Sequence, residues 1–103
     1  MLLFSVRRMV ETLKSVVGLT DVTLSCNGYT TRTHKLILAS ASRFFRNIFE
    51  HFCESKHPTI IVTEMDPDIL QLVVDFLYCG HVNVSNDRLD DLITAGQSLE
   101  IKV

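Results

Sequence analysis

The sequence predicts an α+β fold: a helix-rich cluster of about five helices flanked by a short, mainly three-stranded sheet. Three observations predict it. Apolar residues recur at helical spacing in several separate segments. An alternating run, Asp21–Cys26, leads into Asn27-Gly28 and a second strand-like run, which is a strong hairpin signal. A run made wholly of β-branched residues, Thr59–Thr63, stands alone between two helical stretches.

In order along the chain, Val6, Met9, Val10, Leu13, Val16 and Val17 form one continuous helical stripe, and Gly18 is its expected stop. In Asp21–Cys26, Val22, Leu24 and Cys26 fall on one side and Thr23 and Ser25 on the other, the pattern of a half-buried strand. Tyr29–Thr33, rich in Thr and Tyr, is the returning strand. Lys35–Ala41 is short and almost wholly apolar, which suggests a buried helix. Ser42 is placed to cap a third helix whose inward stripe is Phe45, Ile48, Phe49 and Phe52.

Thr59–Thr63 is expected to be a buried strand. Asp66-Pro67 is a cap followed by proline at the first helical position. The helix it starts carries Ile69, Leu72, Val73, Phe76 and Leu77, with Leu70 and Val74 widening the stripe, so it is expected at the centre of the molecule. Gly80 ends it, His81–Val84 reads as a short strand, and Ser85 or Asn86 caps a last helix with Leu89, Leu92, Ile93 and Leu99 inside.

A chain of 103 residues has room for one domain, and no internal repeat, linker or low-complexity segment divides it. Its stop directly after a helix suggests one domain of a longer protein. The hydrophobic share is 47% and the charged share 21%, values of an ordered globular chain. A body this small cannot hide all of that apolar surface, and self-association is the simplest way to cover the remainder. No apolar run approaches the ~20 residues of a membrane span, and the start of the chain lacks the layout of a secretory signal. The three cysteines, Cys26, Cys53 and Cys79, are odd in number and irregular in spacing, as expected of thiols in a reducing compartment.

Charge is unevenly spread. Residues 1–58 carry eight Lys/Arg against four acids, and residues 59–103 carry two against eight. That split favours contact between the halves or between subunits, or is an ordinary solvated surface. With a net charge of −2 and no basic stripe interleaved with aromatics, this segment is not expected to bind nucleic acid. Gly18, Gly28, Gly80 and Gly96 form no phosphate-binding loop. No nucleophile elbow or active-site cysteine motif is present, so no enzyme activity is expected. His51, Cys53 and His57, or Cys79 and His81, supply zinc-type ligands at spacings that match no standard module, so neither metal nor cofactor is expected. His34 is expected to make a local hydrogen bond at a helix start.

Several runs carry a resemblance: Asp21-Val22-Thr23-Leu24, His34-Lys35-Leu36-Ile37-Leu38-Ala39-Ser40-Ala41-Ser42, Phe44-Phe45, Leu77-Tyr78-Cys79-Gly80 and the closing Ala95–Ile101. Together with the element order they resemble the BTB/POZ domain over nearly the whole chain. Cys53–Ile61 and Val82-Asn83-Val84-Ser85 look like its tramtrack-type subgroup, which sits at the N-terminus of zinc-finger or other DNA-binding transcription regulators. The resemblance implies a nuclear homodimer, sometimes assembled further or paired with other BTB domains, that recruits transcriptional co-regulators while another domain binds DNA or chromatin. The sequence departs from the subgroup in one respect. Members usually carry a Trp-Asn-containing strand before the first helix, whereas only Met1–Ser5 precedes it here, so strand exchange rests on Leu2, Leu3 and Phe4.

The expected dimer seam comprises Leu3, Phe4, Val6, Met9, Val10 and Leu13, facing small Ala39 and Ser40, although the same stripe also suits intradomain core. Asp21 and Lys35 sit among apolar neighbours, where a lone charge would cost several kcal/mol. The resemblance places them in a charged pocket at the dimer interface; a turn-capping Asp and a snorkelling Lys are the plainer alternative. Phe52-x-Glu54 resembles the apolar-x-Glu signature with which some BTB domains dock the cullin-3 ubiquitin ligase scaffold, and this gives the alternative function of a substrate adaptor.

Overall fold

The computed structural model describes residues 17–52 and 55–101. A 3-10 turn, Val17–Leu19, precedes β1 (Val22–Cys26) and β2 (Tyr29–Thr33). Then come α1 (Lys35–Ala41), α2 (Arg43–His51), β3 (Thr59–Ile61), α3 (Pro67–Cys79) and α4 (Asn86–Ser98). The expected first helix, Val6 to Val17, lies almost wholly outside the described residues.

The sheet has the order β2-β1-β3. β1 and β2 pair antiparallel, Val22 opposite Thr33 through Cys26 opposite Tyr29. The turn between them is Asn27-Gly28, with φ 48° and 83°. Positive φ at both positions is what a tight hairpin of this twist requires, and Asn-Gly adopts it at the lowest steric cost. β3 joins the other side of β1 in parallel, with Leu24 opposite Ile60. Val22, Leu24 and Cys26 are buried while Thr23 and Ser25 are half-exposed, as the alternation predicts. Cys26 Sγ donates to the Met65 carbonyl at 2.7 Å. Burial first, and the Asp66 carboxylate second, push this thiol's pKa up.

The core gathers Val22, Leu24 and Cys26 of the sheet with Leu38, Phe45, Leu70 and Val73 of the helices. Asp66 caps α3 by accepting from the Asp68 amide at 2.9 Å, and Pro67 stands at its first position. Gly80 ends α3 at φ 83°, its amide bonded to the Phe76 carbonyl. Ser42 stops α1 and starts α2. Its Oγ accepts from the Phe45 amide at 3.1 Å and donates to the Leu99 carbonyl at 2.6 Å, and Ser42 also bridges to Ile101.

Four expectations are corrected. β3 ends at Ile61 and is an edge strand, so Thr59 and Ile61 are exposed rather than buried. His81–Val84 is not a strand, because no strand lies beside it among the described residues. α1 is buried on one face only, through Ile37 and Leu38, with Leu36 74% exposed. In α4, of the four residues expected inside, Leu99 at the C-cap is buried and Leu92 half-buried, while Leu89 and Ile93 are largely open.

Candidate interaction surface

The start of α1 shows what Asp21 and Lys35 do. His34 occupies the N-cap position but makes no side-chain cap bond. Asp21 supplies the cap from the other side of the hairpin: its Oδ1 accepts the Lys35 backbone N–H at 2.7 Å. A carboxylate at this end also suits the helix dipole. The Lys35 ammonium points elsewhere and donates to the carbonyls of Ser55 at 3.3 Å and Lys56 at 3.2 Å, which ties down the turn before β3. The structure therefore brings Asp21 and Lys35 together through the backbone. No ion pair joins their side chains, and each charge is satisfied by main-chain groups.

Behind this cap lies a buried polar pin. The Tyr78 hydroxyl accepts the His34 amide at 3.1 Å and is bonded to His34 Nδ1 at 2.5 Å, the rings meeting edge to face. The hydrogen bond expected to be local thus spans the core, from the start of α1 to the end of α3. Burial raises the Tyr78 pKa; the His34 amide works against that shift and the Asp21 charge adds to it. His34 is buried, and its ring serves packing and hydrogen bonding.

The outer face of α1 is the part of the expected seam that the structure describes. Leu36, Ala39 and Ser40 stand at i, i+3 and i+4 on one side of the helix. Leu36 and Ser40 are exposed and Ala39 is half-buried. The Ser40 hydroxyl turns back to the Ile37 carbonyl at 2.8 Å, which lowers the polarity of that face. Leu3, Phe4, Val6, Met9, Val10 and Leu13 lie outside the described residues, as does Glu54. Phe52 belongs to no inward stripe: it follows the last turn of α2 and is 81% exposed, while Phe45 alone of that stripe is fully buried.

Two concavities went unread in the sequence. One, of about 600 Å³, runs from the end of β3 between α3 and α4, with Phe44, Met65, Ile69 and Leu99 inside and Glu64, Asp66 and Asp91 around it. The other, of about 550 Å³, is apolar and lies between α3, α4 and the 81–85 loop, with Phe76, Val82, Val84, Leu89 and Ile93 in its walls. The second had a signal, since Val82 and Val84 alternate as in a strand but line a groove instead. The first had none, because its walls come from four separated segments. Among the described residues no cluster of His, Cys, Asp and Glu is arranged to hold a metal ion, and no helix is long and apolar enough to cross a membrane.

A family model of the BTB/POZ domain matches residues 11–103. Among Drosophila melanogaster proteins the chain is 37% identical to protein jim lovell over 95 residues, covering 92% of this chain and 9% of that protein. It is 37% identical to longitudinals lacking protein-like over 90 residues, 87% of this chain and 70% of that one. To zinc finger protein chinmo it is 37% identical over 84 residues, covering 82% and 14%. The BTB domain of zebrafish PATZ1 superposes with a TM-score of 0.74 at 21% identity, covering 98% of this chain and 87% of that one. That of human gigaxonin gives 0.73 at 18%, covering 96% and 86%.

Proposed function

The chain belongs to the BTB/POZ domain family, a family of protein-interaction modules, and from that premise we propose that it homodimerises and recruits co-regulators within a longer nuclear regulator of transcription or chromatin. The observation that carries the reading is the outer face of α1. Its exposed Leu36 and adjoining small residues are surplus to a core already closed by Ile37 and Leu38. In this reading that face meets the apolar stripe of residues 6–13 of a second copy, with Asp21 and Lys35 at the border. The relatives support the setting, since one is named a zinc finger protein and the chain spans only 14% of it. The domain does no chemistry of its own; nucleic acid is bound by another part of the protein, which the dimer holds in duplicate.

Light scattering tests it. The wild-type chain at micromolar concentration is expected to have the mass of two subunits, and Leu36→Asp, or Val10→Asp with Leu13→Asp, that of one. A single-subunit mass for the wild type at high concentration overturns the reading.

One observation favours a second reading, an adaptor for a cullin-3 ubiquitin ligase: Phe52 is the most exposed large apolar residue among those described. Burying such a ring contributes up to a few kcal/mol. A pull-down with the cullin-3 N-terminal domain is expected to show at most weak capture by this chain, lost in Phe52→Ala and Glu54→Ala. Tight capture that survives both changes rules out this site, and tight capture lost in both places the adaptor reading above the transcriptional one.

A further inference from the structure

The groove between β3, α3 and α4 is built within one chain and has a definite chemical character. Its interior is apolar: Val62, Met65, Ile69 and Leu99 are buried there and Phe44 is half-buried. At about 600 Å³ it has the size of an ordinary ligand cleft. Its border is acidic. Glu64, Asp66 and Asp91 line it, and among the described residues its one basic side chain is Arg88. That guanidinium is already engaged, by Asp66 at 3.1 Å and Asp91 at 3.4 Å. Two carboxylates share one cation and a third, Glu64, is exposed, so the rim keeps a net negative charge. The Asp68 amide and Arg88 hold the Asp66 carboxyl below the usual carboxylate range, so it is ionised at neutral pH.

At one end of this groove lies β3, which is the edge of the sheet among the described residues, with Ile61 74% exposed. An edge strand leaves alternate backbone N–H and C=O groups without a strand partner, which is a template for an added strand. The fold thus places together an open strand edge, an apolar recess and an acidic rim. We propose that this groove docks an extended peptide whose apolar anchor is flanked by lysine or arginine. The backbone of the peptide adds to β3, its anchor enters beside Met65 and Ile69, and its cations face Glu64 and Asp91. Charge selects the class: a neutral peptide gains nothing from the rim, and an acidic one is repelled by it. The other groove, nearly all apolar, offers no comparable selection.

The inference deepens the partner-recruitment half of the proposed function and does not depend on dimerisation. It is tested by selecting short random peptides from a display library on the purified chain. An enriched peptide is then titrated into isotope-labelled protein while backbone amide shifts are read. The expected peptides carry an aliphatic or aromatic residue between basic ones, and the shifts concentrate at Ile61, Val62, Glu64 and Asp91. Glu64→Gln with Asp91→Asn, both at exposed side chains, is expected to weaken binding roughly tenfold at low salt and to flatten its salt dependence. Ile61→Ser gives a second, uncharged variant that weakens binding at every salt concentration. Enrichment of neutral or acidic peptides, shifts confined to another surface, or no enrichment at all overturns the proposal. So do shifts at these residues that grow with protein concentration alone, since the occupant is then a second copy. A one-subunit mass measured on a sample that still binds basic peptides defeats dimerisation and leaves the groove assignment standing.

Discussion

Helices α3 and α4 are both thirteen residues long and both carry an aspartate in the first turn, yet they bury very different shares of themselves. α3 buries Ile69, Leu70, Val73, Val74 and Tyr78. α4 buries Ala95 alone, with Leu89 41% and Ile93 50% exposed. The cause is what stands opposite each helix. α3 packs against α1 on one side and α4 on another, and its inward residues join those of β1. α4 packs against α3, and half of its apolar stripe faces a groove. An apolar stripe says which side of a helix repels water; only the neighbouring elements decide whether that side is covered.

This contrast can be broken by truncation. Leu70→Ala is expected to cost about 2–5 kcal/mol in urea unfolding, because Leu70 is fully buried and its loss leaves a cavity. Ile93→Ala in α4 is expected to cost less than about 1 kcal/mol. Equal losses would show that α4 is as deeply committed as α3.

Tyr78→Phe sharpens the comparison at the inner end of α3. It leaves the His34 amide and Nδ1 without their buried partner, a penalty of about 1–3 kcal/mol. The same phenol sets a limit in alkali. Its folded pKa is raised, so its contribution is complete below the ordinary tyrosine value and is lost as pH rises through the folded one. Wild-type stability should therefore fall in strong alkali, and Tyr78→Phe should remove the tyrosine's share of that fall, leaving the part set by the Cys26 thiol.

The smallest effect is expected where the two helices meet at their exposed ends. Asp66 caps α3 and binds Arg88 of α4, and its carboxyl is held below the ordinary value. Its contribution is present above the ordinary carboxylate range and is lost as pH falls through the folded value. Asp66→Ala should lower the melting temperature slightly at neutral pH and not at all in strong acid. A difference that persists in acid would assign the effect to packing rather than charge.

Most of the described fold was legible because its signals are local. Asn27-Gly28, Ser42, Asp66-Pro67 and Gly80 each act on the backbone within a few residues, and each stands where it was expected. The misreadings involve partners that composition does not disclose. Val82 and Val84 have strand chemistry and no adjacent strand among the described residues. Ile61 has core chemistry and an edge position. A capping Asp21 was among the readings of the residues, but the partners of Asp21 and Lys35 were not legible for the same reason: each charge is met by a backbone group, and backbone groups leave no letter in a sequence. The BTB/POZ family was legible from motifs, while the acidic groove, assembled from α2, the β3–α3 connection, α3 and α4, was not.

Ser42 has a consequence for the order of events during synthesis. Its hydroxyl holds the Leu99 carbonyl, and the Arg43 amide holds that of Glu100. The hydroxyl that caps α2 waits for a partner 57 positions downstream. At about 5–20 residues per second, that wait lasts several seconds. A chain whose synthesis stops short of Leu99 therefore lacks the carbonyl that accepts from Ser42, and its clasp stays open.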